Sequence, residues 1–311
     1  MPDGARVRQT VPAWQRRWQR LGPAARRTAP WIGRLAAACA LAVIGYRMAT
    51  TPWVAHLSSS KDMPVAGALA CVAASLANLM LVAGWWALLR AQGERVDLRF
   101  CLSSYGRSQI AKYLPGGVLQ YAGRHLLSPG LDQRRVLIAS VVEAASLVTL
   151  AGGIGLVTKT LLPSLHAGLV VAGLSAAAAA ACLVLRRLRF RLRWMLVAVA
   201  CNLSYLLLQG ASLYALVNAQ APATAFNALF VVGLAAVAWA AGFVVVGAPA
   251  GLGVREAVLL GFLSGHLVAE ASLAVVAVFR IAALVGDAAL FLLASAIRRA
   301  PARAAAAAEK G

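Results

Sequence analysis

Long apolar runs, each close to the length of a transmembrane helix, follow one another along most of this chain. A helix needs about 20 mainly apolar residues to cross the hydrocarbon of a bilayer. The 311 residues are 61% hydrophobic and 13% charged, whereas a soluble domain has about 25% charged residues. Seven runs approach or exceed the required length: 31–50, 64–89, 136–157, 163–185, 194–216, 224–246 and 271–296. We therefore expect an all-α polytopic membrane protein.

Basic residues lie mainly in the tails and in alternate loops, which explains the formal net charge of +20. Loops of this kind face the cytoplasm, so the pattern favours membrane topology over nucleic-acid binding. We expect an inner-membrane protein with a single membrane domain at 31–298 and both tails, 1–30 and 299–311, in the cytoplasm. The first tail has tryptophans at helical spacing between arginines. It is predicted to lie on an anionic lipid surface or to remain a disordered basic tail.

Charge parity predicts an eighth crossing. After seven crossings the basic residues Arg298, Arg299 and Arg303 would finish on the outer side, against the positive-inside rule. The remaining apolar segment is 254–268, which spans about 22 Å as a helix at ~1.5 Å per residue. It is adequate if its glycine-rich lead-in also enters the membrane, which gives about eight transmembrane helices.

Two stretches break the apolar pattern with glycine, proline and charge, at 112–124 and 247–256. A bilayer tolerates broken backbone only where protein or trapped water satisfies it. The first stretch begins and ends on the cytoplasmic side, so it is predicted to be re-entrant or interfacial, or else a cytoplasmic helical loop. The second leads into the eighth crossing. The residues that break the helices are Pro115, Gly116, Gly117, Pro249, Gly251 and Gly253.

Ionised residues accompany these breaks. Arg255 falls in the first turn of the helix after the second break, where free N–H groups and a forked guanidinium suit phosphate. Its neighbour Glu256 is expected to cap that helix or to counter the arginine. Arg280 and Asp287 are seven residues apart, on one face of the last run. The candidate substrate-binding residues are Arg255, Glu256, Lys112, Arg124, Glu143, Arg280 and Asp287.

Other polar residues are given structural roles. The scattered cysteines and histidines have no metal-ligand spacing, so we expect no metal and no cofactor. Gly261 and Gly265 are interpreted as a close helix-packing pair. Asn78, Asn202 and Gln209 are expected to form hydrogen bonds between helices. Tyr113 and Tyr121 are expected to anchor the protein at the membrane interface or, as the less favoured alternative, to contact a lipid headgroup.

Three segments resemble the flippase-like membrane domain of lysylphosphatidylglycerol synthases. They are IAKYLPGGVLQYAGR, VVEAASL around Glu143, and GAPAGLGVREAVL, in that order. The resemblance implies an eight-span lipid-handling fold with re-entrant elements that moves a charged or sugar-bearing lipid between leaflets. Lysine transfer is not implied, since the soluble aminoacyl-transfer domain is missing. Ala250 stands where the family often has a glycine.

The function predicted from these features is translocation of an anionic or phosphate-bearing lipid or a lipid-linked sugar. Expected partners are a membrane phospholipid or a polyprenyl-phosphate-type lipid. No complete catalytic motif is found, so an enzyme is not expected. The alternatives are a membrane enzyme with a lipid-linked substrate, or an accessory scaffold for a lipid-modifying synthase or a glycosyltransferase.

Overall fold

The described part of the chain is helical and contains no strand. The computed structural model describes residues 61–113, 119–158, 190–221, 226–245 and 248–297, with isolated positions between 42 and 54. Both tails, most of the predicted run 31–50, the predicted run 163–185, and Pro115, Gly116 and Gly117 lie outside the described residues. The α-helices are α1 Met63–Ala91, α2 Leu98–Gln109, α3 Leu119–Leu126, α4 Gln133–Val157, α5 Leu192–Asn218, α6 Ala228–Val244, α7 Val254–Leu263 and α8 Ala269–Ala296.

Four of the described helices are long and apolar enough to cross a membrane. They are α1, α4, α5 and α8, with 29, 25, 27 and 28 residues. These four confirm the predicted runs 64–89, 136–157, 194–216 and 271–296. Helix α6 is apolar but has only 17 residues, because it begins after Asn227, whose side chain accepts a hydrogen bond from the backbone N–H of Leu229. It covers the central part of the predicted run 224–246.

Helix α1 lies between α5 and α8 and packs closely against both. At Gly286 of α8, an added Cβ atom would lie 2.9 Å from the backbone carbonyl carbon of Ala74. At Gly84, an added Cβ would lie 2.9 Å from Oδ1 of Asn202 on α5. Helices approach this closely only where a small residue faces the neighbour. The three helices thus form a tightly packed frame, with Asp287 directly after the closest approach.

The first broken stretch forms a helical hairpin, here called hairpin 1, which consists of α2, the Ile110–Tyr113 3-10 turn and α3. The Ser104 hydroxyl on α2 donates to the Leu127 carbonyl after α3, over 2.8 Å. Arg107 donates to the Ala294 and Ile297 carbonyls at the end of α8, each over 3.3 Å. Hairpin 1 is therefore packed into the helical bundle rather than standing apart as a separate loop.

The second broken stretch forms hairpin 2, which consists of α6, the Pro249–Gly251 3-10 turn and α7. The rings of Phe230 and Phe262 lie 6.3 Å apart and join the beginning of α6 to the end of α7. At the opposite end, Gly242 lies against Arg255. The two helices are therefore antiparallel, and both ends of hairpin 2 lie on one side of the bundle.

The predicted continuous helix over 254–268 is wrong, because α7 ends at Leu263. A turn follows, in which the N–H groups of His266 and Leu267 both donate to the Leu263 carbonyl. At ~1.5 Å per residue, the ten residues of α7 span about 15 Å, half the thickness of the hydrocarbon. The predicted close packing at Gly261 is also wrong, since nothing lies within 4 Å of an added Cβ there.

Two apolar cores occupy opposite ends of the bundle. One joins the C-terminal half of α1 to α2, to α4 along most of its length and to the first half of α5. The other joins the start of α1 to the end of α5, to α7 and to the start of α8. On α8, Ala282 belongs to the second core and Leu290 to the first, with Asp287 between them. The two 3-10 turns contact each other in this intermediate zone.

Candidate functional site

A cavity of about 280 Å³ lies where the tips of the two hairpins meet. Its wall is made by both hairpins together with α1, α4, α5 and α8. Six of the seven predicted substrate-binding residues line it: Lys112, Arg124, Glu143, Arg255, Arg280 and Asp287. Residues more than 170 positions apart in the sequence are thus brought to one site, and the seventh residue, Glu256, binds Arg280 beside it.

The tip of hairpin 1 is held by Asp287 of α8. The Lys112 ammonium lies 2.8 Å from Oδ1 of Asp287, and the Tyr113 hydroxyl donates to Oδ2. The Asn78 amide on α1 also donates to Oδ1, over 3.0 Å, which confirms its predicted role between helices. Burial lowers the pKa of Lys112. The prediction of Tyr113 as an interfacial anchor is wrong, because its hydroxyl binds a carboxylate inside the bundle.

The returning helix of hairpin 1 is held by Glu143 of α4. Arg124 is 2% exposed and forms an ion pair with Glu143. Its guanidinium carbon lies 3.8 Å from the centroid of the Tyr105 ring, and the Tyr105 hydroxyl donates to Glu143 over 2.8 Å. Tyr121 lies beside the same guanidinium, at 5.1 Å, and burial raises its pKa to about 12. Tyr121 is therefore a cavity residue and not the predicted interfacial anchor.

Hairpin 2 is also attached to α8, but through its acidic residue. Nε of Arg280 lies 2.6 Å from Oε1 of Glu256, and both side chains are largely buried. Glu256 was expected to cap α7 or to counter Arg255, and the structure directs it to α8 instead. Helix α8 thus contacts both hairpins from one face, through Arg280 and through Asp287 two turns further along.

Arg255 differs from the other three cations of the site. Among the described residues it has no ion-pair partner. Within the same residues its Nε atom is buried without a hydrogen-bond partner, as is Nε of Arg124. The guanidinium carbon lies 5.7 Å from the centroid of the Trp239 ring, a cation–π contact. Its charge is therefore only partly compensated within the described part of the chain.

The charges of the site do not balance within the described residues. Four cations, Lys112, Arg124, Arg255 and Arg280, face the cavity, and three of them are paired with Asp287, Glu143 and Glu256. The count of four cations and three carboxylates leaves one positive charge. A partly buried arginine with a free donor edge is suited to an anion with several oxygen acceptors, such as phosphate.

The backbone before α7 is strongly curved, and its glycines explain the turn. Gly251 and Gly253 have φ of 70° and 82°, in a region that glycine adopts readily. Ala250 has φ of 51° and ψ of 21°, a left-handed conformation that costs a non-glycine residue about 1–2 kcal/mol. The turn places Arg255 in the first turn of α7, opposite Trp239.

Sequence reasoning missed the aromatic part of the wall, in particular Tyr105, Tyr205 and Trp239. Aromatic residues in apolar helices look like ordinary core, and nothing in their spacing separates a cavity face from a packed face. Gln209 was predicted to bond between helices and also lines the cavity. The Asn202 amide donates to the Ser146 hydroxyl over 2.6 Å, which confirms its predicted role between helices.

No protein-family model matches this chain, and no curated protein matches it. Among the described residues, no group of three or more histidine, cysteine or carboxylate side chains is placed to hold a metal ion. The cavity, its charges and the four long apolar helices are therefore the basis for a functional proposal.

Proposed function

We propose that this protein moves an anionic or phosphate-bearing lipid, or a lipid-linked sugar, between the leaflets of the inner membrane. The supporting observation is Arg255, a cation that faces a cavity between apolar helices and has no ion-pair partner in the described part of the chain. An ionised group at such a site is costly unless it binds an anion or water. The headgroup of a lipid supplies the anion, and its acyl or prenyl chains remain in the surrounding hydrocarbon.

The proposed membrane arrangement has cytoplasmic termini and two hairpins inserted from opposite sides, and hairpin 2 takes the place of the predicted crossings at 224–246 and 254–268. Hairpin 1 begins and ends near the junction of α1 and α4, where the Gln92 side chain donates to the Arg135 carbonyl. Hairpin 2 begins and ends beside the start of α8. Non-helical backbone at membrane depth requires burial in protein or a cavity, and both 3-10 turns have such surroundings.

In this proposal Arg255 is the first contact of the headgroup. A phosphate at Arg255 would also be attracted electrostatically by Lys112 and Arg280. It would compete with Asp287 and Glu256 for these two cations. Displacement of Asp287 from Lys112 would free the tip of hairpin 1 to move. Anion binding and hairpin movement are thus coupled through α8. The resemblance of three segments to flippase-like domains supports the same reading.

The test is a flux measurement on the full chain reconstituted in vesicles. Fluorescent phosphatidylglycerol, phosphatidylcholine and a polyprenyl phosphate are each followed by reduction of the outer-leaflet label. We expect faster exchange of at least one anionic lipid than in empty vesicles, and a loss of about tenfold or more in Arg255→Gln, because one charge-assisted hydrogen bond contributes ~1.5–3 kcal/mol.

Arg134→Gln is the matched control, since Arg134 is an exposed arginine at the start of α4 and makes the same change in charge. Its flux should equal that of the wild type. Wild-type protein that leaves all three lipids as immobile as in empty vesicles, with and without ion gradients, would refute the proposal.

A further inference from the structure

The side chain of Arg255 passes between two glycines of hairpin 2. A Cβ atom added to Gly242 of α6 would lie 2.5 Å from Cγ and 2.8 Å from Nε of Arg255. A Cβ atom added to Gly251 would lie 2.7 Å from the same Nε. Carbon atoms do not approach a side chain this closely, so no larger residue fits at either position without displacement of Arg255. We call the space between Gly242 and Gly251 the arginine slot.

Glycine is required at the two positions for different structural reasons. Gly251 has a φ of 70°, and its backbone conformation alone favours glycine. Gly242 lies inside α6, where glycine is less favourable than alanine because it loses more backbone entropy. The three atoms nearest to an added Cβ at Gly242, outside the backbone of α6 itself, are all in the Arg255 side chain. The glycine at 242 is therefore explained by the arginine and not by its own helix.

The slot also leaves Nε of Arg255 without a hydrogen-bond partner among the described residues. Trp239 lies one turn before Gly242 on α6, with its ring 5.7 Å from the guanidinium carbon. Glu256, the nearest carboxylate in sequence, is bound to Arg280. The buried Nε keeps an unused N–H, and Nε with a terminal nitrogen forms the forked donor that binds two oxygens of one phosphate.

We propose that Gly242 is a positioning residue that acts through Arg255 and sets its guanidinium to bind a phosphate group in a lipid headgroup. This inference rests on the proposed function, because it assigns the phosphate site of the same cavity. A methyl group at 242 would expel the side chain from the slot while leaving its charge and the α6 backbone in place. Gly242 thus determines the geometry of the site and not its net charge.

The test compares Gly242→Ala with Gly261→Ala in purified full-length protein. Gly261 lies in α7 of the same hairpin, and nothing lies within 4 Å of an added Cβ there, so it is a matched control for the change in helix propensity. The probe is dioctanoyl phosphatidic acid, with dioctanoylglycerol as the neutral analogue and inorganic phosphate as the lipid-free anion. Binding is measured by titration calorimetry, and folding by the thermal unfolding midpoint.

We expect Gly242→Ala to bind phosphatidic acid about tenfold more weakly than wild type, the scale of one lost charge-assisted hydrogen bond, with an unfolding midpoint equal to or above that of the wild type. Gly261→Ala should bind like the wild type. In an Arg255→Gln background, Gly242→Ala should cause no further loss, since both changes remove the same contact. Inorganic phosphate should compete only weakly if the acyl chains contribute to binding, and strongly if the site takes the free anion.

The inference is overturned if Gly242→Ala binds like Gly261→Ala, or if it weakens binding equally in the presence and absence of Arg255. Its failure is distinguishable from failure of the proposed function. If lipid flux is normal and the two glycine variants bind phosphatidic acid equally, only the positioning role of Gly242 is excluded. If binding depends on Arg255 but no lipid flux is seen in vesicles, the transport function is excluded and the phosphate site is retained.

Discussion

Hairpin 1 and hairpin 2 reach the same cavity from opposite ends of the bundle, but they differ in how the charged residues that they place there are paired. The two cations of hairpin 1 that line the cavity, Lys112 and Arg124, are each paired with a carboxylate of a long helix. Hairpin 2 instead presents a carboxylate, Glu256, to Arg280, and leaves Arg255 without an ion-pair partner in the described residues. Similar backbone architecture thus supports two different roles.

The difference shows that the position of a charged residue in a broken motif does not define its role, whereas its partner does. Arg124 is almost fully buried and is needed to neutralise Glu143, so its loss should affect folding. Arg255 has no carboxylate partner among the described residues, and in our proposal it binds a ligand instead. We therefore expect changes in the ion pairs of hairpin 1 to affect mainly the free energy of unfolding, and changes at Arg255 of hairpin 2 to affect mainly lipid binding.

The largest effect on stability is expected from Glu143→Ala. Removal of this carboxylate leaves Arg124 buried and unpaired, which costs about 3–5 kcal/mol. The free energy of unfolding in detergent, measured by denaturant titration, should fall by that amount. Glu94→Ala is the control, because its partner Arg135 is 43% exposed and remains in contact with water when the carboxylate is removed. Equal losses in the two variants would show that hairpin 1 is not held by its buried pair.

A smaller effect is expected from Asp287→Asn. The substitution keeps the shape of the side chain but removes the charge that holds Lys112 and Tyr113, and one hydrogen bond to a charged group contributes about 1.5–3 kcal/mol. Hydrogen exchange should therefore become faster at Ile110–Tyr113 and remain unchanged in α7. Asp132→Asn serves as the control, since Asp132 is 49% exposed. Unchanged exchange at the tip would argue against its attachment to α8.

Much of the fold was predictable from the sequence, because a transmembrane helix leaves a long apolar run that needs no knowledge of its neighbours. Four helices were found in this way, within three residues of their ends. Six of the seven predicted site residues also line one cavity, since an ionised group between apolar helices must face a polar space. This reasoning selects polar positions but not their partners.

The pairing of these residues could not be predicted, because it depends on which hairpin tip reaches which helix. Glu256 is adjacent to Arg255 in sequence, yet it binds Arg280. The early end of α7 was also missed, since the apolar run continues past Leu263 and only the turn at Ser264–Leu267 shows where the helix stops. The aromatic wall was missed for the same reason, because packing partners are not encoded in local spacing.

The smallest effect concerns the turn of hairpin 2. Ala250 has a φ of 51°, which costs about 1–2 kcal/mol relative to glycine. Part of that gain is lost to the greater freedom of glycine in the unfolded chain, about 0.5–1 kcal/mol. Ala250→Gly should therefore raise the free energy of unfolding by about 0.5–1 kcal/mol.

Ala248→Gly provides the opposite case, because Ala248 has a φ of −82° and gains nothing from glycine. It should lower the free energy of unfolding, as measured by the same denaturant titration. If both variants lower stability equally, the left-handed turn at Ala250 does not carry the expected strain.

The central claim is that hairpin 2 binds the anion while the cavity-lining cations of hairpin 1 are neutralised by carboxylates of α4 and α8. It is tested most directly by native mass spectrometry of the gently extracted protein. We predict a retained phosphate-bearing lipid on the wild type and on Arg134→Gln, and its loss in Arg255→Gln. A lipid that remains bound in Arg255→Gln but is lost in Lys112→Gln would contradict the account, because it would place the anion site on hairpin 1.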